Sequence, residues 1–349
     1  MSISAIMIFV NGVRDPMKVA VVVLNYKGWR DTKKCLKALS QQTYKNFSIY
    51  LIDNGSGDES VEELSKIKME QLHFHQEKKN TGFTGGVNIG IKWAIDNNFE
   101  AVALLNNDAA PEPDWLEKLV TGFDKEDDVY AVTSLMLDND GKLIDDAGDE
   151  YSTWGIPALR SEKQPKSAAP ESGLVFGATG GATLYKTEVF QKIGLFDEDF
   201  FAYDEDIDVS WRMQLVGMKV WYERGAVVLH KHSATSSKMP GFTVYQVFKN
   251  LPQVFWKNVP FPLIVPMFFK FGLIYLAFLL YQVPKGGAKF ALKGMIQSWR
   301  LWPKSLKKRR HIQKTKTVSN KYIRSILLHR LPLKQVNRLK RALGIKVAL

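Results

Sequence analysis

The stretch YDEDIDVSWR, residues 203–212, holds four acids within five positions: Asp204, Glu205, Asp206 and Asp208. Carboxylates so crowded repel one another and resist burial. Three chemistries are open to them: a solvated cap at a helix start, oxygen ligands for a cation, or a general base whose pKa is lifted by its neighbours. Further polar groups recur at the ends of apolar runs. KVAVVVLNY ends near Asn25, FSIYLID ends at Asp53, AVALLNND ends at Asn106, Asn107 and Asp108, and GAVVLHKH ends at His230 and His232. The stretch NTGFTGGVNIG (80–90) and the small-residue run 177–182 allow backbone or ligand to approach closely.

These groups need elements to carry them. Residues 18–26, 47–53, 72–76 and 101–108 read as strands, the first and last of them buried, and helical spacing intervenes between them. This alternation predicts an open, mostly parallel α/β sheet, whose ligands bind at the carboxyl ends of the strands. Asn25, Asp53 and Asn106–Asp108 would then share one edge. The NTGFTGGVNIG stretch reads as a glycine-rich loop running into a helix. Residues 130–175 read as irregular, with DNDGKLIDDAGD a turn-rich hairpin, and IDVSWRMQLVGM as a helix stopped by Gly217.

Charge divides the chain sharply. Of 349 residues with net charge +12, positions 231–349 contain 24 Lys and Arg and no acid, which leaves positions 1–230 at −12. The basic third is expected to face something anionic, lipid headgroups or nucleic acid. Within it FPLIVPMFFKFGLIYLAFLLYQV (261–283) is apolar for 23 residues except Lys270, followed by Trp299, Trp302 and the polybasic KSLKKRR. Its length could span a bilayer, but a central lysine, at ~3 kcal/mol on insertion scales, and two prolines favour an interfacial or re-entrant helical hairpin. The apolar segment and tryptophans speak against nucleic acid as the partner. The single cysteine, Cys35, cannot form an internal disulfide and reads as a small buried hydrophobe of a reducing compartment. The first 16 residues lack the basic start of a signal peptide, and order is expected from about Met17.

Seven stretches together, VVVLNYKG, YLIDNGSGDES, NTGFTGGVNIG, LLNNDAAPEPDWL, GATGGATLYK, FFAYDEDIDVSWR and VVLHKHSATSS, resemble in order and spacing the inverting glycosyltransferases of family 2, in their rhamnosyltransferase-like branch. The resemblance spans roughly residues 18–237. It implies a GT-A fold, that is, a Rossmann-like nucleotide-diphospho-sugar transferase domain. Three regions are expected: an extra N-terminal segment (1–17), the catalytic domain (18–237) and a basic helical membrane-association region (238–349).

The resemblance also implies roles. Asn25, Asp53, Asn80, Gly82, Phe83, Gly86, Asn88, Asn107, Gly180, Gly181 and Arg212 would bind the nucleotide donor. Asp108, in NND where the family carries DXD, and His230, with His232 as competitor, would hold Mg²⁺ or Mn²⁺. Asp206 would be the general base, with Glu205 beside it contacting the acceptor. Inverting transfer is a single displacement, so one positioned carboxylate suffices and no covalent nucleophile is needed. The implied partners are a dTDP- or UDP-linked sugar, possibly rhamnose, a lipid-linked glycan acceptor and an anionic cytoplasmic leaflet. A sugar nucleotidyltransferase would need a Gly-rich, Lys/Arg-bearing signature after the first strand, which LNYKGWRDT does not supply. A processive synthase would need several transmembrane helices. A nucleic-acid-binding protein is the non-enzymatic alternative, separable by binding to anionic liposomes rather than DNA.

Overall fold

A computed structural model describes residues 15–231 and 239–342; His232 and residues 1–14 lie outside the described residues. Among the described residues the strands are β1 (Val19–Asn25), β2 (Phe47–Asp53), β3 (Leu72–Gln76), β4 (Ala101–Asn106), β5 (Ala109–Pro111), β6 (Val129–Asp138), β7 (Ile144–Asp146), β8 (Asp149–Tyr151), β9 (Pro157–Leu159), β10 (Gly173–Val175), β11 (Ala182–Lys186) and β12 (Lys219–His230). The main sheet runs β10-β12-β6-β11-β4-β1-β2-β3, with β5 on β12 and β7 on β6. Its long ladders, β1 with β2 and β4, β2 with β3, and β6 with β12, are parallel; β11 runs antiparallel between β4 and β6. The expected α/β sheet is therefore present, and it is mixed.

Continuous Val, Ile, Leu and Ala runs let β1 and β4 bury both faces. One face packs on α1 (Trp29–Leu39) and α4 (Trp115–Gly122), the other on α3 (Gly82–Asp96) and α5 (Thr187–Ile193), while α2 (Ser60–Ser65) sits beside α1. In register Asn25 lies opposite Asp53 and Leu24 opposite Asn106, so three strands end on one edge. The glycine-rich stretch departs from the expected loop. The helix begins at Gly82, and Gly86 lies within it, where a Cβ would stand 2.4 Å from a Leu24 methyl. That glycine sets how closely helix meets strand.

The remaining helices are α6 (Glu205–Leu215), α7 (Phe242–Asn258), α8 (Phe261–Gln282), α9 (Ala288–Lys314), α10 (Asn320–Ile326) and α11 (Leu333–Ala342). The expected boundary at 237/238 is not a boundary in packing. One core joins Phe200, Ile207, Trp211 and Leu215 to Leu251, Val254 and Phe255 of α7, to Ile264, Met267, Phe271 and Ile274 of α8, and to Ile312, Ile323 and Leu327. Sequence composition records charge, and this interface is apolar at its centre, so the composition shift conceals it.

Helix α8 runs unbroken through Pro266 and is long and apolar enough to cross a membrane. The spacing of Ile264, Met267, Phe271 and Ile274 turns one face into the core, while Phe261, Val265, Phe269, Leu273, Leu276 and Leu280 are exposed. Lys270 Nζ lies 5.9 Å over the Trp154 ring. In α9, Leu292, Ile296 and Trp299 form a second exposed apolar stripe among lysines and arginines.

Candidate active site

A cleft of about 1500 Å³ opens at the carboxyl edge of the sheet. Asn80, Gly82, Phe83 and Asn107 line it, as do Asp108, Gly180, Gly181 and His230, with Glu205 and Asp206 on the side of α6. Loop 157–164, Tyr281 at the end of α8 and residues 328–337 extend the lining beyond the sheet.

Residues 108 and 230 meet because β5 pairs antiparallel with the end of β12: His230 is opposite Ala109, and the Lys231 N–H donates to the Asp108 carbonyl at 3.1 Å. His230 Nε2 lies 3.1 Å from Asp108 Oδ1, and Nδ1 lies 2.7 Å from Asp145 Oδ2. Burial alone would lower the imidazole pKa, but the two carboxylates outweigh it and push it up to about 9. The arrangement suits a small divalent cation. Two ligands each ~2.1 Å from an ion and at right angles lie ~3 Å apart, and a carboxylate on the far nitrogen is the usual brace of a metal-binding histidine. Among the described residues no cluster of three or more His, Cys, Asp or Glu forms a complete site. The donor set is thus partial, as suits a cation shared with a diphosphate.

The four acids of residues 204–208 divide by environment. Asp208 is fully buried and ion-paired to Arg212 at 3.0 Å and Lys257 at 2.9 Å, and accepts from Asn258 Nδ2 at 2.8 Å. Burial opposes its ionisation, yet these cations hold its pKa below the ordinary value. Asp204 occupies the N-cap position with φ 64°, and its side chain makes no cap hydrogen bond. Burial, reinforced by Asp206, pushes its pKa up to about 8. Glu205 is 6% exposed with Oε2 unpartnered, and burial and Asp206 raise it well above the carboxylate range. Asp206, like Asp204, is half-buried and lines the cleft. Its Oδ2 accepts from Gly180 N at 3.1 Å and its Oδ1 from Ile207 N at 2.8 Å. Burial raises its pKa and those amides restrain the rise.

The small-residue run lets α6 come this close. Ser210, one turn after Asp206, accepts from Ala178 N at 3.1 Å, and a Cβ on Gly177 would stand 2.7 Å from Ser210 Oγ. Just before α6 the backbone is strained: Phe201, Tyr203 and Asp204 have φ of 63°, 71° and 64°.

Several expected donor contacts do not reach the cleft. Arg212 donates to the carbonyls of Ile193, Gly194 and Leu195 at 2.8–3.0 Å besides pairing with Asp208, so its guanidinium is consumed inside the fold. Asn88 exchanges two hydrogen bonds with the Phe196 backbone, at 2.9 and 3.0 Å, and so ties α3 to the segment leading to the acids. Gly86 packs on Leu24. Asp53 is fully buried. Its carboxylate accepts from Asn25 Nδ2 at 2.7 Å, Ser56 Oγ at 2.5 Å and Ser56 N at 3.1 Å, which is turn chemistry. Asn25 is equally buried, accepting from Thr32 Oγ1 at 2.8 Å. Both brace the floor and do not line the cleft.

Two groups escaped the sequence reading. Asp145 lay in a segment read as a turn, though its acid density was a signal. Asn54 lines the cleft and donates to Asn80 Oδ1 at 3.2 Å and the Gly82 carbonyl at 2.9 Å, fixing the strand-end loop.

Comparison with known proteins agrees with this architecture. The sequence profile of Glycosyl transferase family 2 matches residues 19–194. The Haloferax volcanii low-salt glycan biosynthesis hexosyltransferase Agl10 is 22% identical over 66% of this chain and 73% of its own length. The Mycobacterium tuberculosis N-acetylglucosaminyl-diphospho-decaprenol L-rhamnosyltransferase is 24% identical over 63% of this chain and 78% of its own. Mannosyltransferase PcManGT from Pyrobaculum calidifontis, solved with GDP-Man and Mn²⁺, superposes over 94% of this chain and 86% of its own, with 14% identity and a TM-score of 0.52. That last likeness is one of fold, the GT-A fold. With a profile match over half the chain and a cleft at the expected strand ends, this chain belongs to glycosyl transferase family 2.

Proposed function

We propose that the chain transfers a sugar, with inversion, from a dTDP- or UDP-linked donor to a lipid-linked glycan at the cytoplasmic face of the membrane, with Asp206 as general base. The observation that carries this reading is the Asp206 carboxylate, open to the same cleft as Asp108 and His230 and steered by the Gly180 and Ile207 amides. A carboxylate held by two N–H donors keeps a lone pair aimed at an acceptor hydroxyl, and its raised pKa strengthens it as a base. Glu205 stands beside it to accept from a second hydroxyl. Asn80 and Gly82 form the donor side, and Asn107 steadies it by donating to Thr32 Oγ1 at 2.9 Å.

Asp108 and His230 would hold Mg²⁺ or Mn²⁺, with Asp145 orienting the imidazole. The cation, when bound, neutralises the charge developing on the departing diphosphate. Gly180 and Gly181 leave room for the donor sugar between the Asp108 and Asp206 sides.

The membrane reading is supported by the exposed apolar faces of α8 and α9, flanked by basic side chains, and by a relative whose name specifies a decaprenol-linked acceptor. Since α8 gives its other face to the protein core, an interfacial seating fits better than a full span. Residues 15–231 and 239–342 then work as one body, the second holding the first against the lipid.

A panel of nucleotide sugars scored for metal-dependent transfer tests the activity. Asp206→Asn should lower transfer by ~10³-fold or more while nucleotide binding persists, since an amide cannot take the proton. Near-wild-type transfer by that variant removes Asp206 as base.

A further inference from the structure

The strained segment 200–204 precedes Asp206 and is held from two sides, by α7, outside the family-matched residues 19–194, and by the start of α3 within them. Asn250, fully buried in α7, directs its amide nitrogen at three successive-turn carbonyls: Phe200 at 3.2 Å, Ala202 at 2.9 Å and Tyr203 at 2.7 Å. Lys249 Nζ donates to the Phe200 carbonyl as well, at 2.9 Å. From the other side the Thr84 N–H donates to the Phe201 carbonyl at 3.2 Å, and Gly82, at φ 76°, lies so close that a Cβ would be 2.4 Å from that oxygen. The segment is therefore clamped between the donor side of the cleft and α7. Three non-glycine residues with positive φ persist only where their surroundings over-determine them.

We propose that Asn250 is a positioning residue for transfer: its amide holds the 200–204 backbone, with Phe201, Tyr203 and Asp204 at positive φ, in the conformation that delivers Asp206 into the cleft. This rests on the reading of Asp206 as base. Asn250 is one of several buried polar residues of α7, with Gln246, Gln253 and Lys257 on the same face, and a buried amide is costly unless its donors are used. Here the donors are spent on a strained loop, while Asn250 Oδ1 has no hydrogen-bond partner. The amide is thus matched to the loop's carbonyls rather than to its own helix. Helix α7 also packs along α9 and receives the Tyr275 hydroxyl of α8 on the Phe248 carbonyl at 2.6 Å, so the clamp is built on the helices that carry the exposed apolar faces.

The test compares full-length Asn250→Ala and Asn250→Asp with Met267→Ala, which opens the same core from α8 without touching the loop. Binding of UDP and of dTDP in the presence of Mn²⁺ is measured beside steady-state transfer with whichever donor and acceptor the wild type turns over. Loss of the clamp should cut kcat by ~10²-fold, the scale of a ~1 Å misplacement, with nucleotide Kd and donor KM within ~3-fold. The isosteric Asp variant, which keeps the shape but cannot donate, should fare no better than Ala. Backbone amides 201–206 should exchange hydrogen faster in both, with β2 unchanged. Should Asn250→Ala not fold, Asn250→Ser carries the same comparison.

The inference is overturned if Asn250→Ala or Asn250→Asp keeps kcat within ~3-fold of wild type. It is overturned equally if Met267→Ala, at a matched loss of Tm, loses as much kcat, which would make the effect one of stability alone. Asp206→Asn separates the two readings. If that variant is inactive while the Asn250 variants turn over normally, only the positioning role fails; if it is active, the base assignment fails with it.

Discussion

The acidic part of the molecule (15–231) and its basic part (239–342) handle charge in opposite ways. In the first, carboxylates gather in and beside a cleft where they are short of cations: Asp146 is pushed by burial, then by Asp145 and Asp206, up to about 8 against the restraint of the Gly148 and Ala147 amides, and one oxygen each of Asp149, Asp204 and Glu205 is unpaired. In the second, cations near the interface are consumed. Lys257, 2% exposed, pairs with Asp197 and Asp208; Lys308 pairs with Asp197 at 2.5 Å and Asp199 at 2.7 Å; Lys304 reaches Asp199 at 3.2 Å; Arg309 donates to the Trp256 and Val259 carbonyls. Part of the anionic partner that the basic third demanded is the catalytic half itself. Unpaired buried acids cost stability and mark where a substrate or cation would compensate them. Paired ones at the seam fasten two bodies of opposite charge.

The contrast is open to attack at several points. The largest effect is expected from Lys257→Met at the seam. It takes one cation from each of the buried Asp197 and Asp208, which keep Lys308 and Arg212 respectively, and should cost ~3 kcal/mol in urea unfolding. A loss below ~1 kcal/mol would show that the two parts are held by apolar packing alone. Next, Ile296→Ser with Trp299→Ser removes two exposed apolar side chains of ~1.5–3 kcal/mol each from the basic face. Sedimentation with anionic vesicles should fall by ~10²-fold with solution stability unchanged; unaltered binding would move the lipid contact elsewhere.

Within the acidic half, Asp145→Asn leaves His230 without its charged brace and should weaken Mn²⁺-dependent nucleotide binding ~10- to 100-fold, read by titration calorimetry. Unchanged metal dependence would detach Asp145 from the site. The smallest effect concerns Asp204. Its folded pKa of about 8 lies above its ordinary value, so the folded protein holds a proton that the unfolded chain has released. This contribution is fully present below the ordinary carboxylate pKa and is lost as pH rises towards 8. Asp204→Asn should therefore raise Tm by a few degrees at pH 8 and by little at pH 4, and an equal shift at both pH values would contradict the buried, protonated acid.

How much of this was legible in the residues varies with the range of the interaction. Strands β1 and β4 could be read from the chain because both their faces are buried, which writes an apolar run into it, while β2 and the edge strand β3 are only partly buried. Cys35 is buried as its helix spacing implied. The strand-end positions followed, because a parallel sheet aligns its carboxyl ends by register. Asp108, Asp206 and His230 could be named from resemblance, but Asp108 meets His230 only because β5 folds back onto β12, and Asp206 joins them only because α6 packs on residues 177–180. Arg212 and Asn88 look, in sequence, like donor-binding groups beside glycines and acids. A polar side chain near a site can brace a loop as readily as touch a ligand, and only the direction of its hydrogen bonds distinguishes the two.

The sequence by itself determined the α/β class, the edge that bears the cleft, the family and the split in charge, because each is written in local periodicity, composition or short motifs. Tertiary structure alone decided that Asp208 of the four acids is spent inside the fold while the other three line the cleft, that Asp145 stands behind His230, and that α7 belongs to the catalytic body. Those facts turn on contacts between residues 50 to more than 100 positions apart, such as Asn258 with Asp208 and Asp108 with His230. Such contacts leave no periodic trace in the chain, since their energy comes from burial and pairing that exist only once the core has closed.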